Sequence, residues 1–164
     1  MTEIYYAGIG SRQTPPEILA KMEEIGEYLA SKGWILRSGG AEGADKAFER
    51  GSDKLKKTLY SLDEVFLPSD YIPAWTNVFT DHFHPNPGAL KDWGRKLMNR
   101  NAMQILGRDG NTPVTCVICW TKDGKGAGGT GHACRIADYY GIPVFDLKNA
   151  GMLEKLRGFV RRIK

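Results

Sequence analysis

Three glycine-rich loops constrain the fold of this chain more than any other feature of its sequence. They span residues 8–12 (GIGSR), 38–43 (SGGAEG) and 126–130 (GAGGT), and each follows a short apolar segment and precedes a helical pattern. Apolar segments that alternate with helices at this spacing indicate a mostly parallel sheet with helices on both faces. The length of 164 residues suits one domain. We therefore predict a single α/β domain over residues 1–164.

The order of the predicted elements is that of a Rossmann-like, doubly wound fold. We predict strands over residues 4–7, 34–36, 64–67, 114–119 and 142–145, and helices over 15–32, 44–51, 91–106, 132–140 and up to Lys164. In the common strand order 3-2-1-4-5, strands 1 and 4 are neighbours, and ligands of open α/β sheets bind in the crevice beyond that point. Residues 8–12 and 121–130 then flank the crevice.

Two of the predicted helices carry clear local signals. Thr14 is positioned to cap the first helix, before Pro15 and Pro16 in its first turn. The apolar stripe of that helix comprises Ile18, Met22, Ile25 and Leu29. In the helix over 91–106, the side chains available for burial are Trp93, Leu97, Met98, Met103 and Leu106.

The glycine-rich loops have the composition of a phosphate site. Glycine allows backbone N–H groups to approach an anion closely, and the following helix offers free N–H groups at its positive end. Arg12 is the cation best placed to grip a phosphate, and Ser11, Ser38 and Thr130 add hydroxyls. Arg37 precedes its loop, so we expect it to be solvated. The predicted ligand-binding residues are Gly8, Gly10, Ser11, Arg12, Ser38, Gly39, Gly40, Gly43, Asp45, Gly128, Gly129 and Thr130.

The acidic residues in and just after the second loop leave three roles open. Asp45 and Glu42 can accept a hydrogen bond from a ribose hydroxyl, act as a catalytic acid or base, or cap the second helix. Together with Arg95 they are the candidate catalytic residues. No acid among them has a partner that fixes one of these roles from sequence alone.

The sequence predicts neither a metal nor a cofactor. His82 and His84 lack a third ligand at a suitable spacing. Cys116 and Cys119 fall within one predicted strand, where residues three apart point to opposite faces and cannot share a metal or a disulfide.

The charge and hydropathy of the chain limit the classes of ligand and partner that it is expected to bind. The net charge of +4 and the isoelectric point near 8.9 favour anionic ligands without indicating a nucleic-acid binder. No apolar run approaches the roughly 20 residues of a membrane span, and the first residues lack a secretory signal, so we expect a cytoplasmic protein without a membrane partner.

Residues 68–90 are aromatic and aperiodic, and predict either a lid or a packed excursion with a short helix.

The motifs resemble those of the SLOG superfamily, and most closely those of the DNA-processing protein A family (DprA, or Smf). Residues 8–12 are similar to its G-S-R loop, 38–45 to its S-G-x-A-x-G-x-D loop, 100–107 to its R-N helix, and 128–137 to its last glycine loop. The resemblance implies a Rossmann-like fold and phosphate contacts from Ser11, Arg12, Gly39, Gly40 and Gly129. That family binds single-stranded DNA, which is the function it implies.

A second resemblance, to LOG-type nucleotide phosphoribohydrolases, covers fewer residues. Arg95, Lys96 and Met98 are similar to the R-K-x-x-M helix of those enzymes, whose arginine takes part in hydrolysis. Their P-G-G-x-G-T-x-x-E motif aligns with residues 127–135, where His132 replaces the threonine and Arg135 the glutamate.

Three functions follow from these patterns. The first is non-enzymatic binding of a nucleotide-type small molecule, such as an ADP-ribose-like or cyclic nucleotide signal that the protein senses or sequesters. The second is DprA-like binding of single-stranded DNA in recombination. The third is hydrolysis of the N-glycosidic bond of a nucleoside monophosphate. Relatives in the superfamily commonly assemble, so we expect a homo-oligomer.

Overall fold

The strands of the computed structural model, which describes residues 3–55 and 63–163, form one parallel sheet. They run in the order β3-β2-β1-β4-β5. Their bounds are β1 Tyr5–Gly8, β2 Ile35–Ser38, β3 Glu64–Val65, β4 Cys116–Cys119 and β5 Val144–Asp146. The predicted Rossmann-like α/β fold and its strand order are confirmed.

Helices cover both faces of the sheet. They are α1 Pro16–Ser31, α2 Ala44–Asp53, α3 Thr76–Phe83, α4 Asp92–Leu106, α5 Thr130–Tyr139 and α6 Met152–Arg162, with a 3-10 helix at Pro87–Ala89. α1, α2 and α6 pack on one face and α4 and α5 on the other, which gives two hydrophobic clusters. Lys164, the predicted end of the last helix, lies outside the described residues. Within the described part of the chain, no helix is both long and apolar enough to cross a membrane.

Alternation along β4 places its two cysteines in different clusters. Cys116 belongs to the cluster under α1, α2 and α6, whereas Cys119 belongs to the cluster under α4 and α5. The Sγ atom of Cys119 lies 3.9 Å from that of Cys134. All three cysteines are buried and free, and burial raises the pKa of Cys116 to about 12. The prediction that Cys116 and Cys119 face opposite sides is confirmed.

The start of α1 differs from the prediction. The helix begins at Pro16 with Pro15 as its N-cap and without a side-chain cap. The hydroxyl of Thr14 instead donates to the carbonyl of Ser11, at 2.5 Å. The predicted cap is wrong because the two prolines shift the first helical turn away from Thr14, whose hydroxyl closes the preceding turn. The stripe is confirmed, since Met22, Ile25 and Leu29 are buried and the half-buried Ile18 packs against the same cluster.

Arg37 is buried, and the expectation that it is solvated is wrong. Its side chain is only 2% exposed, its Nε donates to Glu64 Oε1 at 2.9 Å, and its guanidinium also bonds to Thr112. The guanidinium carbon lies 4.1 Å from the ring centroid of Tyr5. β2 extends two residues beyond the predicted strand, so Arg37 lies within the sheet, between Tyr5 of β1 and Glu64 of β3. A charge buried there must be paired.

Residues 68–90 contain α3 and the 3-10 helix. The rings of Trp75 and Phe79 meet edge to face at 5.6 Å, and Phe79 and Phe83 pack against the cluster under α4 and α5. Tyr71, by contrast, is 81% exposed. This segment therefore combines a helix packed on the domain with exposed loop residues.

Glycines allow α1 and α2 to pack with their backbones in close approach. A β-carbon on Gly26 would lie 2.6 Å from the carbonyl oxygen of Phe48, and one on Gly51 would overlap the carbonyl oxygen of Glu23. Both obstacles are backbone atoms of the facing helix, so no side-chain rotation relieves them. The two helices can hold this separation only while both positions lack a side chain.

We expect Gly51→Ala to lower the free energy of unfolding by about 2 kcal/mol or more, because overpacking against an immobile backbone typically costs 1–3 kcal/mol. Gly88→Ala is the matched control, since a β-carbon there meets nothing within 4 Å. Urea unfolding followed by circular dichroism measures both. Equal stability of the two variants would show that α1 and α2 can separate freely.

Candidate functional site

A cleft of about 610 Å³ opens at the carboxyl edge of the sheet, where β1 and β4 are neighbours. Residues 9–13 and 127–130 line two of its sides, and Ala41 and Asp45 close a third. Helix α4 supplies the remaining side chains, which are Trp93, Leu97, Met98, Arg100, Asn101 and Gln104. The position is the switch point of the fold, and the volume is that of a small-molecule site.

The first loop, residues 9–13, presents an unpaired cation to the cleft. The N–H of Ser11 donates to the carbonyl of Trp120 at 3.3 Å, and the N–H of Gln13 donates to the Ser11 hydroxyl at 3.0 Å. These bonds fix the turn from which Arg12 projects. Arg12 is exposed and has no ion pair or hydrogen bond to its side chain among the described residues. Its guanidinium is thus free for an anion.

The second loop, residues 39–43, supports the first. Gly43 has a φ of 94°, and a β-carbon there would lie 3.3 Å from the Cα atom of Arg12. The buried hydroxyl of Ser38 donates to Glu49 at 2.9 Å and accepts from the N–H of Gly40 at 3.1 Å. The loop's own polar groups are therefore used to hold its shape beneath Arg12.

The third loop, residues 121–129, ends at the N-terminus of α5. Gly128 has a φ of 78°, and the N–H groups of Gly128, Gly129 and Thr130 have no acceptor in the described part of the chain. The amide of Asn101 donates to the Gly129 carbonyl at 3.2 Å, which ties the loop to α4. Free N–H groups at the positive end of a helix attract an anion.

Asp123 shapes the start of the third loop. Its Oδ1 accepts from the N–H groups of Lys125 at 2.8 Å and Ala127 at 3.1 Å. These bonds hold the pKa of the Asp123 carboxyl below its usual value. The Asp123 carboxylate therefore fixes the turn that precedes Gly128.

The floor of the cleft contains a buried acid and a buried base. Nη1 of Arg100 donates to the Gly39 carbonyl at 2.9 Å, and Oδ2 of Asp45 accepts from the N–H of Ala41 at 3.2 Å. A β-carbon on Gly39 would lie 2.7 Å from Arg100 Cζ and 2.8 Å from Asp45 Oδ2. Both side chains therefore occupy the space that a side chain at Gly39 would fill.

Burial shifts the pKa values of both Asp45 and Arg100. Desolvation raises the pKa of Asp45 to about 6, although Arg100 and the bond from Ala41 oppose the shift. Desolvation also lowers the pKa of Arg100, Asp45 opposes this, and the positive charge of Arg12 adds to it. Arg12 and Arg100 both line the cleft, so two guanidinium groups border the same small volume, which favours an anionic ligand.

Two donors at the floor are unused. Nε of Arg100 and Nε2 of Gln104 are buried without a hydrogen-bond partner in the described residues. Buried polar groups are normally paired, so an unpaired one calls for an explanation. A bound ligand is one way of supplying the missing acceptors.

The structure brings together seven of the twelve predicted ligand-binding residues. Those that line the cleft are Gly10, Ser11, Arg12, Asp45, Gly128, Gly129 and Thr130. The other five, Gly8, Ser38, Gly39, Gly40 and Gly43, are not among the lining residues. Gly8 illustrates why, because a β-carbon there would lie 2.6 Å from Phe48 Cγ inside the core.

The three candidate catalytic residues separate. Asp45 lies at the floor of the cleft, and Glu42 is exposed outside it. Arg95 is also outside the lining and donates to Asp81 at 2.7 Å and to Asn77 at 3.3 Å. Only Asp45 remains in contact with the space a ligand would fill.

Sequence reasoning did not assign Arg100, Asn101 and Gln104 to the site. Their spacing of i, i+1 and i+4 on a helix with an apolar face was the signal that could have found them, because polar side chains there must have a partner. The predicted burial of Trp93 is wrong, since it is 57% exposed and lines the cleft. It lies in the first turn of α4, where no described element covers it.

His132 is buried beside the site, in the first turn of α5. Its ring is fully buried, and neither nitrogen makes a hydrogen bond of normal geometry within the described chain, although the Met98 carbonyl lies close. Burial, with the charge of Arg135 and the neighbouring His84, lowers the pKa of His132 to about 4. It is therefore neutral at physiological pH. In the described residues, no three His, Cys, Asp or Glu side chains cluster as metal ligands.

Comparison with known proteins supports the Rossmann-like α/β fold. The chain is similar to DNA processing protein A from Helicobacter pylori, a solved structure described for its single-stranded DNA binding mode. The match has a TM-score of 0.60 and 18% sequence identity, and covers 98% of this chain and 74% of that one. This likeness shows a DprA-like fold. No protein-family model and no curated protein sequence matches the chain.

Asp45 and His132 predict opposite pH dependences of stability. Asp45 has a pKa of about 6 when folded and about 3.9 when unfolded, so its contribution to stability falls as the pH rises from 4 to 6. His132 has a pKa of about 4 when folded and about 6.5 when unfolded, so its contribution rises with pH from 4 to 6.5. In the native protein the two largely cancel.

We expect the free energy of unfolding of Asp45→Asn to rise by about 2–3 kcal/mol as the pH increases from 4 to 6.5, because the titration of His132 is then unopposed. His132→Leu removes the titration of His132 instead, so the free energy of unfolding of this variant should fall by a similar amount as the pH increases over the same range. Urea unfolding at five pH values measures both slopes. Slopes of the same sign in the two variants would contradict the burial of at least one group.

Proposed function

We propose that this chain binds a phosphate-bearing nucleotide in the cleft without altering it chemically, as a sensor or sequestering protein. The observation that carries the proposal is that free donors from two different loops line one cleft. They are the unpaired guanidinium of Arg12 in the first loop and the unpaired N–H groups of residues 128–130 in the third. A phosphate between them would accept both kinds of hydrogen bond.

The remaining walls suit the rest of a nucleotide. Trp93, Leu97 and Met98 present apolar surface along α4. Bases stack on exposed aromatic rings, and such a contact contributes roughly 1–3 kcal/mol. We propose an ADP-ribose-like or cyclic nucleotide as the ligand class, because the cleft exceeds the space that a phosphate alone requires.

Two features support binding without catalysis. In the motif that resembles the LOG enzymes, Arg135 stands at the glutamate position, and its Nε donates to the Phe83 carbonyl at 2.7 Å. Arg95, which resembles the arginine of those enzymes, is held by Asp81 outside the cleft. The chain thus has neither the carboxylate nor the free arginine at those positions. If Asp45 supplied the missing catalytic carboxylate, the chain would be a phosphoribohydrolase, which is the third candidate function.

Binding of single-stranded DNA is the second candidate. It is favoured by the fold shared with DNA processing protein A of Helicobacter pylori and by the exposed ring of Trp93 at the cleft. In this case Arg12 and the third loop would contact the phosphate backbone. We further propose that the chain is a cytoplasmic, single-domain member of the SLOG superfamily and forms a homo-oligomer.

Arg12→Ala should weaken nucleotide binding ten-fold or more, because a charge-assisted hydrogen bond contributes about 1.5–3 kcal/mol. Thermal shift identifies the ligand from AMP, ADP-ribose, cyclic ADP-ribose, cyclic dinucleotides and oligo-dT, and calorimetry then gives the affinities. Arg162→Ala is the matched control, since it removes the same charge from an exposed position on α6.

The outcomes separate the candidates. Unchanged affinity in Arg12→Ala would show that the ligand does not use this cleft. Binding of oligo-dT alone, with an affinity that falls steeply with salt, would favour the DNA candidate, because counterions are released. Release of free base from AMP, stopped by Asp45→Asn, would establish hydrolysis instead.

A further inference from the structure

The floor of the cleft holds three buried polar side chains whose hydrogen-bonding capacity is not filled. Asp45 is 4% exposed, Arg100 is 8% exposed and Gln104 is 1% exposed, and all three line the cleft. The unpartnered atoms are Nε of Arg100 and Nε2 of Gln104. Since Asp45 is an acceptor beside Arg100 and lines the same cleft as Gln104, the floor combines one acceptor with two vacant donors.

A hydroxyl group matches this combination. It donates one hydrogen bond and accepts others, so it can serve a carboxylate and an N–H group at once. A phosphate offers acceptors only and would be repelled by the Asp45 carboxylate. The phosphate donors are elsewhere, at Arg12 and residues 128–130, and Arg12 lies near enough to lower the pKa of Arg100. The floor therefore adjoins the proposed phosphate position without being part of it.

The sugar is the part of a nucleotide that is bonded to the phosphate and carries hydroxyls. A base is planar and apolar on its faces, which suits the wall formed by Trp93, Leu97 and Met98. Resting on the proposed function, we infer that Asp45, Arg100 and Gln104 hydrogen-bond a ribose hydroxyl, so that the site selects ribonucleotides over 2′-deoxyribonucleotides. Asn101 positions this floor, because its Oδ1 accepts from Nη2 of Arg100 at 3.3 Å while its amide holds the third loop.

This selectivity has an energetic basis in the burial of the floor. Binding a deoxynucleotide would leave the vacant donors buried and unpaired, as they are in the free protein, and would cover Asp45 with a C–H group. Sites built to bond a hydroxyl reject analogues that lack it far more strongly than apolar pockets reject a missing methylene. The discrimination should therefore reach at least ten-fold.

Calorimetry at pH 7.5 with AMP, 2′-deoxy-AMP and 3′-deoxy-AMP tests the inference. We expect AMP to bind at least ten-fold more tightly than one of the two deoxy analogues. Gln104→Met keeps the side-chain length and removes the donor, so it should reduce that ratio while leaving the affinity for the same deoxy analogue within three-fold. The deoxy analogue thus serves as the internal control for folding of the variant.

A longer ligand provides a second readout that does not depend on any variant. Short oligo-rA should bind more tightly than oligo-dA of the same length. Equal affinities for ribose and deoxyribose forms, or tighter binding of the DNA, would overturn the inference and leave nucleotide binding in the cleft standing. If no probe that contains phosphate binds, the proposed function fails and this inference fails with it.

Discussion

The close approach of α2 to α1 and to the end of β1 is the packing constraint on which the cleft depends. Four glycines make it possible, since β-carbons at Gly8, Gly10, Gly26 and Gly51 would each meet atoms of α2 or of α1 facing it. Because α2 lies this close, its first turn places Asp45 at the floor of the cleft, against Gly39 and Ala41 of the second loop. A side chain at any of these glycines would collide with the packing of α2, the helix whose first turn carries Asp45.

Electrostatics at the cleft follow from that packing. Arg100 reaches the second loop from the opposite side of the sheet's edge and bonds to the Gly39 carbonyl, so its charge is buried next to Asp45. The neighbouring acid offsets part of the cost of burying this guanidinium, while Arg12 remains uncompensated at the surface. The cleft therefore presents positive charge above a floor that is nearly neutral. This arrangement separates a position for a phosphate from a position for a hydroxyl group.

Glycine served two purposes that look alike in a sequence. In the third loop, Gly128 takes a φ of 78° and leaves N–H groups facing the cleft, as a phosphate site requires. Gly8 is instead buried against Phe48, where its role is to admit a helix. Both occur in strand–loop–helix junctions, so composition and spacing do not distinguish them. The distinction depends on which element packs against the glycine, and that element is distant in the chain.

The sequence by itself determined the alternation of strands and helices, the glycine-rich loops that follow three of the strands and the opposite directions of Cys116 and Cys119. Each of these follows from local periodicity or from chain connectivity in parallel sheets. Only the tertiary structure decided that Arg37 is buried against Glu64 and that Arg100 and Gln104 join the site. The physical reason is that burial and pairing depend on contacts between segments far apart in the chain, which no local pattern specifies.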